Sequence, residues 1–103
     1  MEVVLMEKIE PCTCFSFDDQ AGRLRIEVKL PGVKEKDVTL EMKNDNFSVR
    51  APKAEDVEYS GCFPLPREIE SDQVEVKFES EYLKIIAPAV RDWTQRIIYR
   101  PLG

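Results

Sequence analysis

A strict alternation of apolar and charged side chains in the first third of the chain is the feature that most constrains the fold. It occupies residues 24–30, read Leu-Arg-Ile-Glu-Val-Lys-Leu. A period of two places alternate side chains on opposite faces of a strand, so one face is buried and the other meets water. Pro31 and Gly32 then end the strand, because proline has no amide proton to donate and glycine accepts positive φ.

The same period recurs along most of the chain. Residues 38–42 and 47–51 alternate around the turn residues Asn44-Asp45-Asn46, which predicts three consecutive strands sharing one apolar face. Further alternating runs lie at residues 12–17, 59–65, 74–78 and 82–87. Short strands separated by turns predict an all-β protein with negligible helix, folded as an immunoglobulin-like antiparallel β-sandwich of seven to eight strands. A small closed barrel is the alternative that the same pattern allows.

The alternation also predicts which side chains are buried and which segments are loops. Residues 53–58 are polar and charged, so we expect an exposed connection there. Residues 67–73 are expected to form an acidic loop with at most one helical turn. The predicted core consists of Ile26, Val28, Leu40, Val49, Val76, Leu83 and Ile85.

Length and charge narrow the class of protein. The 103 residues suit one domain, and the net charge of −5 argues against a nucleic-acid partner. No apolar run is long enough to span a membrane, and the first ten residues do not resemble a signal peptide, so we expect a cytoplasmic protein. The predicted organisation is a short N-terminal segment at residues 1–10, a sandwich domain at 11–88 and a C-terminal tail at 89–103.

The residues that usually carry out chemistry are sparse. The chain has no histidine, the commonest general base, and its four glycines form no phosphate-binding loop. We therefore predict no enzyme, no cofactor and no metal. Cys12, Cys14 and Cys62 are interpreted as small buried or half-buried apolar residues in a reducing compartment. A redox pair or a soft-metal site is the alternative for these thiols.

Two sequence blocks resemble a known family. They are LPGVKEKDV at residues 30–38 and FPLPREIESDQVEVKFESEYLKIIAP at residues 63–88. Both are similar to segments of the α-crystallin domain of small heat-shock proteins, and the related CS domain, typified by the co-chaperone p23, has the same sandwich. The resemblance implies an ATP-independent chaperone of the stress response that holds partly unfolded client proteins. The alternative is a CS/p23-like adaptor that binds one folded protein partner.

The family resemblance also implies where a partner binds. In the α-crystallin domain, a groove between the strand after Leu-Pro-Gly and the penultimate strand accepts an apolar tail from a neighbouring subunit. The matching groove residues here are Val38, Leu40, Val76 and Phe78. Each of them is alternatively an ordinary core residue.

The tail carries its own apolar residues, Trp93, Ile97, Ile98 and Tyr99. If these side chains were exposed to water, they would form an apolar patch prone to association. We therefore expect the tail to dock as an extended strand, either on its own sandwich or on a neighbouring copy. Trp93 either packs back on the sandwich or anchors a partner. The family's swapped-strand loop is reduced here to at most residues 53–58, and Ser80-Glu81 replaces its Asn/Asp-Gly turn. If the chain self-associates, these departures favour a dimer over a large assembly.

Overall fold

A computed structural model describes residues 7–90, which form two four-stranded β-sheets. Two short 3₁₀ turns, Glu35–Asp37 and Ser71–Gln73, are the helical elements of this part of the chain. No helix among the described residues is long and apolar enough to cross a membrane. In chain order the strands are β1 (Glu7–Ile9), β2 (Thr13–Asp18), β3 (Arg23–Lys29), β4 (Thr39–Met42), β5 (Asn46–Ala54), β6 (Val57–Pro64), β7 (Glu75–Glu79) and β8 (Tyr82–Pro88).

The strand order confirms the predicted sandwich. The first sheet has the order β1-β6-β5-β4, and the second has the order β2-β3-β8-β7. Neighbouring strands are antiparallel except β1 and β6, which run parallel. Within residues 7–90 each sheet has two open edges, so the chain does not form the closed barrel that the sequence also allowed.

The core lies between the two sheets and follows the period of two. In β3, β5 and β8 every second side chain is buried and its neighbours face water or the rim. Each large buried apolar side chain contributes about 1.5–3 kcal/mol to folding. The largest fully buried side chains are Phe47, Leu24, Ile26, Leu30, Ile69, Ile85, Val28 and Val49. The three strands that follow one another in sequence therefore share a core, although β3 belongs to the opposite sheet from β4 and β5.

Most of the predicted core residues are buried, and the exceptions lie on edge strands. The prediction is confirmed for Ile26, Val28, Val49, Leu83 and Ile85. Leu40 in β4 is half-buried, and Val76 in β7 is 49% exposed, so its predicted burial was wrong. Both strands end their sheets, so no further strand among the described residues covers their outer side.

The segment from residue 53 to residue 58 is a second correction. Residues 53–56 are exposed as expected, but the segment is not one long connection, because β5 continues to Ala54 and β6 begins at Val57, which leaves a two-residue turn. The register shifts between Pro52 and Ala54, so Lys53 has no residue paired opposite it in β6. Glu58 is buried, and its Oε2 lies 3.5 Å from Nε of Arg50 on the neighbouring strand.

A fully buried side chain in the predicted acidic loop was missed. Ile69 is 0% exposed and forms an isolated bridge with Ala89, while its amide donates to the carbonyl of Asn44 at 2.9 Å. The amide of Val90 likewise donates to the carbonyl of Glu68. The first two residues after Pro88 therefore remain bonded to the sandwich, and the predicted division at residues 88 and 89 stays a prediction.

Candidate functional site

The four residues predicted to form a groove line one groove, between β4 and β7. Val38, Leu40, Val76 and Phe78 surround a space of about 200 Å³, together with Glu35 and Leu83. β4 is the last strand of the first sheet and β7 is the last strand of the second. The groove thus lies where the two sheet edges meet, at one side of the sandwich.

The wall formed by β4 is positioned by the turn that precedes it. Gly32 has φ of +82°, which lets the chain reverse direction after β3. The 3₁₀ turn Glu35–Asp37 follows, and the amide of Val38 donates to the carbonyl of Glu35 at 3.2 Å. Leu40 then lies opposite Val49 of β5, so its side chain points toward the space between the sheets.

The wall formed by β7 is positioned by its tight hairpin with β8. Val76 lies opposite Ile85, and Phe78 lies opposite Leu83. Because these partners are core residues, Val76 and Phe78 point into the sandwich, where Phe78 is half-buried. Glu35 and Leu83 were not predicted as lining residues. The period of two predicted that Leu83 is buried, and the two-residue turn at Ser80 and Glu81 places it opposite Phe78, whereas nothing in the sequence marks Glu35.

The groove combines an apolar lining with two strand edges. An edge strand has a row of backbone amides and carbonyls without a partner strand, and an extended segment can bond to such a row. Apolar side chains at alternate positions of that segment would then enter the groove, since side chains of a strand alternate in direction. The arrangement suits the recognition of an extended apolar segment.

The outer side of β7 carries a small charge cluster beside the groove. The carboxylate of Glu79 accepts from Nζ of Lys77 at 3.1 Å and from Nζ of Lys84 at 3.3 Å. The hydrogen bonds from Lys77 and Lys84, with their positive charges, hold the pKa of Glu79 below its usual range. This surface of the groove rim is therefore charged and hydrated, in contrast to its apolar lining.

The three cysteines do not converge on one site. Cys12, Cys14 and Cys62 are all exposed, so the expectation that they are buried was wrong. Cys14 lies opposite Glu27 on the outer face of the second sheet, whereas Cys62 lies opposite Ser48 on the outer face of the first. Among residues 7–90 no group of three or more His, Cys, Asp or Glu side chains is placed to hold a metal ion.

The predicted docking residues of the tail, Trp93, Ile97, Ile98 and Tyr99, lie outside the described residues. So does most of the predicted N-terminal segment.

This chain is similar to a known protein family and to several solved structures. The family model of the CS domain matches residues 14–87, which include almost all of both sequence blocks. A search of curated protein sequences found no match.

Solved structures that the chain is similar to include three small heat-shock proteins of different organisms. Heat shock protein 16.0 from Schizosaccharomyces pombe aligns with a TM-score of 0.71 at 17% identity, over 93% of this chain and 77% of that protein. HSP18.5 from E. histolytica aligns with a TM-score of 0.69 at 13% identity, over 90% and 96%. A small heat-shock protein from Xylella fastidiosa aligns with a TM-score of 0.65 at 16% identity, over 89% and 96%. The resemblance found in the sequence is confirmed, and at these identities the structural matches show the shared fold.

Proposed function

The chain belongs to the CS domain family, and from this premise we propose that it is an ATP-independent chaperone that holds partly unfolded proteins. The fold it shares with small heat-shock proteins is chaperone-related. Apolar segments of an unfolding client would bind in the groove between β4 and β7. No chemical step is part of this function, and the chain has no histidine with which to supply the commonest general base.

The observation that carries the proposal is the open apolar groove between two strand edges. Val76 is 49% exposed, and Val38, Leu40 and Phe78 beside it are half-buried, so their apolar surface remains available. Burying apolar surface yields about 25 cal/mol per Å², which is the driving force for holding a client segment. The strand edges add backbone hydrogen bonds that do not depend on the client's sequence.

A second candidate is a CS-type adaptor that binds one folded protein partner. The specific observation in its favour is the turn between β5 and β6, which consists of Glu55 and Asp56 alone. The long loop that the family resemblance associates with strand-swapped dimers is absent from this described hairpin. An adaptor would use the same groove for one defined segment of its partner.

The two candidates differ in what they do to an aggregating protein. We expect the chain to suppress light scattering by a heat-aggregating reference protein in the absence of ATP. Val76→Asp places a charge in the groove and should abolish most of this suppression, because a charge is costly to bury against an apolar segment. Val76 is half exposed already, so the sandwich should stay folded by circular dichroism.

The matched control is Ile86→Asp. Ile86 is a half-buried apolar residue on the outer face of the second sheet, away from the groove, and its variant should still suppress aggregation. A wild-type chain that leaves the scattering unchanged contradicts the chaperone proposal and favours the adaptor. Equal suppression by wild type and Val76→Asp shows that the groove does not hold the client.

We further propose that the tail residues Trp93, Ile97, Ile98 and Tyr99 dock as an extended strand, on the same copy or on a neighbouring one. Their apolar character and the β propensity of residues 96–100 support this proposal.

A further inference from the structure

Among residues 7–90, strand β2 is an edge strand without the usual protection of edge strands. It runs over six residues, Thr13–Asp18, and contains no lysine, proline or glycine. The other edges of the described domain are shorter or charged, since β1 has three residues, β4 has four and β7 alternates with Glu75, Lys77 and Glu79. Natural proteins block edges with charges, prolines or short strands, because an open edge is a template for pairing with another chain.

The direction of the free backbone groups in β2 follows from its pairing with β3. The amide of Lys29 donates to the carbonyl of Cys12 at 2.9 Å, and these two residues continue the β2–β3 register. In an antiparallel pair such hydrogen-bonded positions alternate along the strand. Cys12, Cys14 and Ser16 therefore bond to β3. The amides and carbonyls of Thr13, Phe15 and Phe17 point away from it, toward the open edge.

The side chain at the centre of this edge ends an aromatic row that begins in the core. The rings of Phe63 and Phe47 are stacked with centroids 5.1 Å apart, and the ring of Phe15 meets Phe47 edge-on at 6.2 Å. Phe47 is fully buried, whereas Phe15 is 37% exposed and is one of the two large hydrophobic residues that the described surface exposes. The aromatic row therefore ends at the β2 edge with Phe15, whose ring is partly exposed to water.

We propose that β2 pairs antiparallel with β2 of a second copy of this chain, about a two-fold axis at Phe15. The free groups at positions 13, 15 and 17 are symmetric about Phe15, so this register forms three hydrogen-bonded residue pairs. Registers centred on Cys14 or Ser16 form only two such pairs from the same positions. Phe15 then meets Phe15 of the second copy and continues the aromatic row into that molecule.

The charge of β2 and its position in the second sheet both favour a second copy of this chain as the partner that pairs with the β2 edge. Residues 13–17 carry no charge, and antiparallel pairing about Phe15 places the Asp18 carboxylates of the two strands at opposite ends of the interface, so the strands meet with little repulsion despite the net charge of −5. A two-fold arrangement is closed, and β2 lies at the edge of the second sheet opposite to β7. The groove therefore stays open in the dimer, and this interface is independent of the proposed chaperone function.

Disulfide cross-linking tests the register. In the proposed dimer, Cys14 lies opposite Ser16 of the second copy at a non-hydrogen-bonded pair, where Cα atoms are about 4.5 Å apart and a disulfide can form. In a Cys12→Ser and Cys62→Ser background, Ser16→Cys should form a covalent dimer when oxidised glutathione accepts the two electrons of the thiol pair. The background alone should not, and neither should Ser16→Cys combined with Cys14→Ser.

The control variants distinguish the proposed register from the other registers in which two β2 strands could pair. Cross-linking in the background alone indicates a register centred on Cys14, and cross-linking after Ser16→Cys with Cys14→Ser indicates one centred on Ser16; either result overturns the proposed register. Absence of any cross-link, in a chain that sedimentation shows to be monomeric at several hundred micromolar, overturns self-pairing of β2 altogether.

A backbone variant tests the interface without a cross-link. Thr13→Pro removes an amide that points to the open edge and leaves the ladder to β3 intact, because Thr13 does not donate to β3. Each dimer loses two hydrogen bonds, so we expect the dimer dissociation constant to rise roughly tenfold to a hundredfold. The circular dichroism spectrum should match that of the wild type. A folded variant with unchanged dissociation constant overturns the proposal, and if the variant unfolds, the cross-linking result decides.

Discussion

Ser80 and Glu81, which join β7 to β8, have the left-handed backbone that glycine and asparagine normally supply. Their φ values are 52° and 69°. Positive φ at both central positions of a two-residue hairpin is typical of a type I′ turn, where Asn-Gly is preferred. For a residue with a Cβ this conformation costs about 1–2 kcal/mol. The turn that shapes one wall of the groove is therefore strained.

Glu81→Gly should relieve this strain. We expect the free energy of unfolding to rise by about 1 kcal/mol, because glycine adopts positive φ without a clash and its greater freedom in the unfolded chain offsets only part of the gain. Thermal denaturation measures the effect. Glu68→Gly removes the same carboxylate where φ is not positive and should give no gain. A melting temperature for Glu81→Gly at or below that of wild type would show that the turn is not strained.

The carboxylate of Glu79 gives a prediction for pH. Hydrogen bonds from Lys77 and Lys84 lower the pKa of Glu79 in the folded state. Because the folded pKa lies below the unfolded one, its stabilising contribution is present at neutral pH and disappears as the pH falls through the folded value. In an NMR titration, Lys77→Met should raise the pKa of Glu79 toward its usual range. Lys36→Met should leave it unchanged, and an unchanged pKa after Lys77→Met would contradict the assigned cause.

At the scale of whole elements, the sequence predicted the positions of the strands well. It predicted poorly which of their apolar side chains are exposed at the sheet edges. The alternation in β3, β5 and β8 predicted their buried faces correctly, because these strands lie inside a sheet with core on one side. Val76 has the same alternation but lies on an edge strand, and edge position depends on strand order, which periodicity does not encode. The groove residues were found through the family resemblance, since their pattern alone is that of ordinary core.

Two further segments show why predictions from local composition were wrong. Residues 53–58 were expected to form a loop, yet pairing across the β5–β6 hairpin continues to Ala54 and Val57 and leaves only Glu55 and Asp56 as a turn. Ile69 sits among charged residues in a predicted loop, yet it is fully buried through contacts that are distant in sequence. In both segments tertiary pairing outweighed the local pattern.

Gly61 of β6 lies against the ring of Phe63 in the aromatic stack. A Cβ added to Gly61 would lie 2.7 Å from Cε2 and 2.8 Å from Cζ of Phe63, whose ring packs on Phe47. Gly61→Ala should therefore displace that ring and cost about 1–3 kcal/mol of stability in denaturant unfolding. Ser60→Ala, at the neighbouring position, should change stability far less. Equal stability of the two variants would show that the ring moves aside without cost.

At the scale of the whole molecule, the proposed partner sites lie on opposite edges of the second sheet. The groove lies at β7, whereas the proposed self-pairing strand is β2. Pairing through β2 is two-fold and closed, so by itself it ends at a dimer. Docking of the tail in the groove of another copy would be a heterologous contact, and it would extend such dimers into larger assemblies.

Ile97→Asp combined with Ile98→Asp separates the two ways in which the tail could dock. If the tail docks on a neighbouring copy, the assembled mass in light scattering should fall to that of the β2-paired dimer, with the melting temperature of the sandwich unchanged. If it docks on its own sandwich, the mass should stay the same and the melting temperature should fall, because the apolar contacts are lost within one copy. Thr94→Asp with Gln95→Asp adds the same charge at polar positions of the tail and should change neither quantity. If neither quantity changes for the isoleucine pair either, the tail does not dock, and the groove is left for a client or partner protein alone.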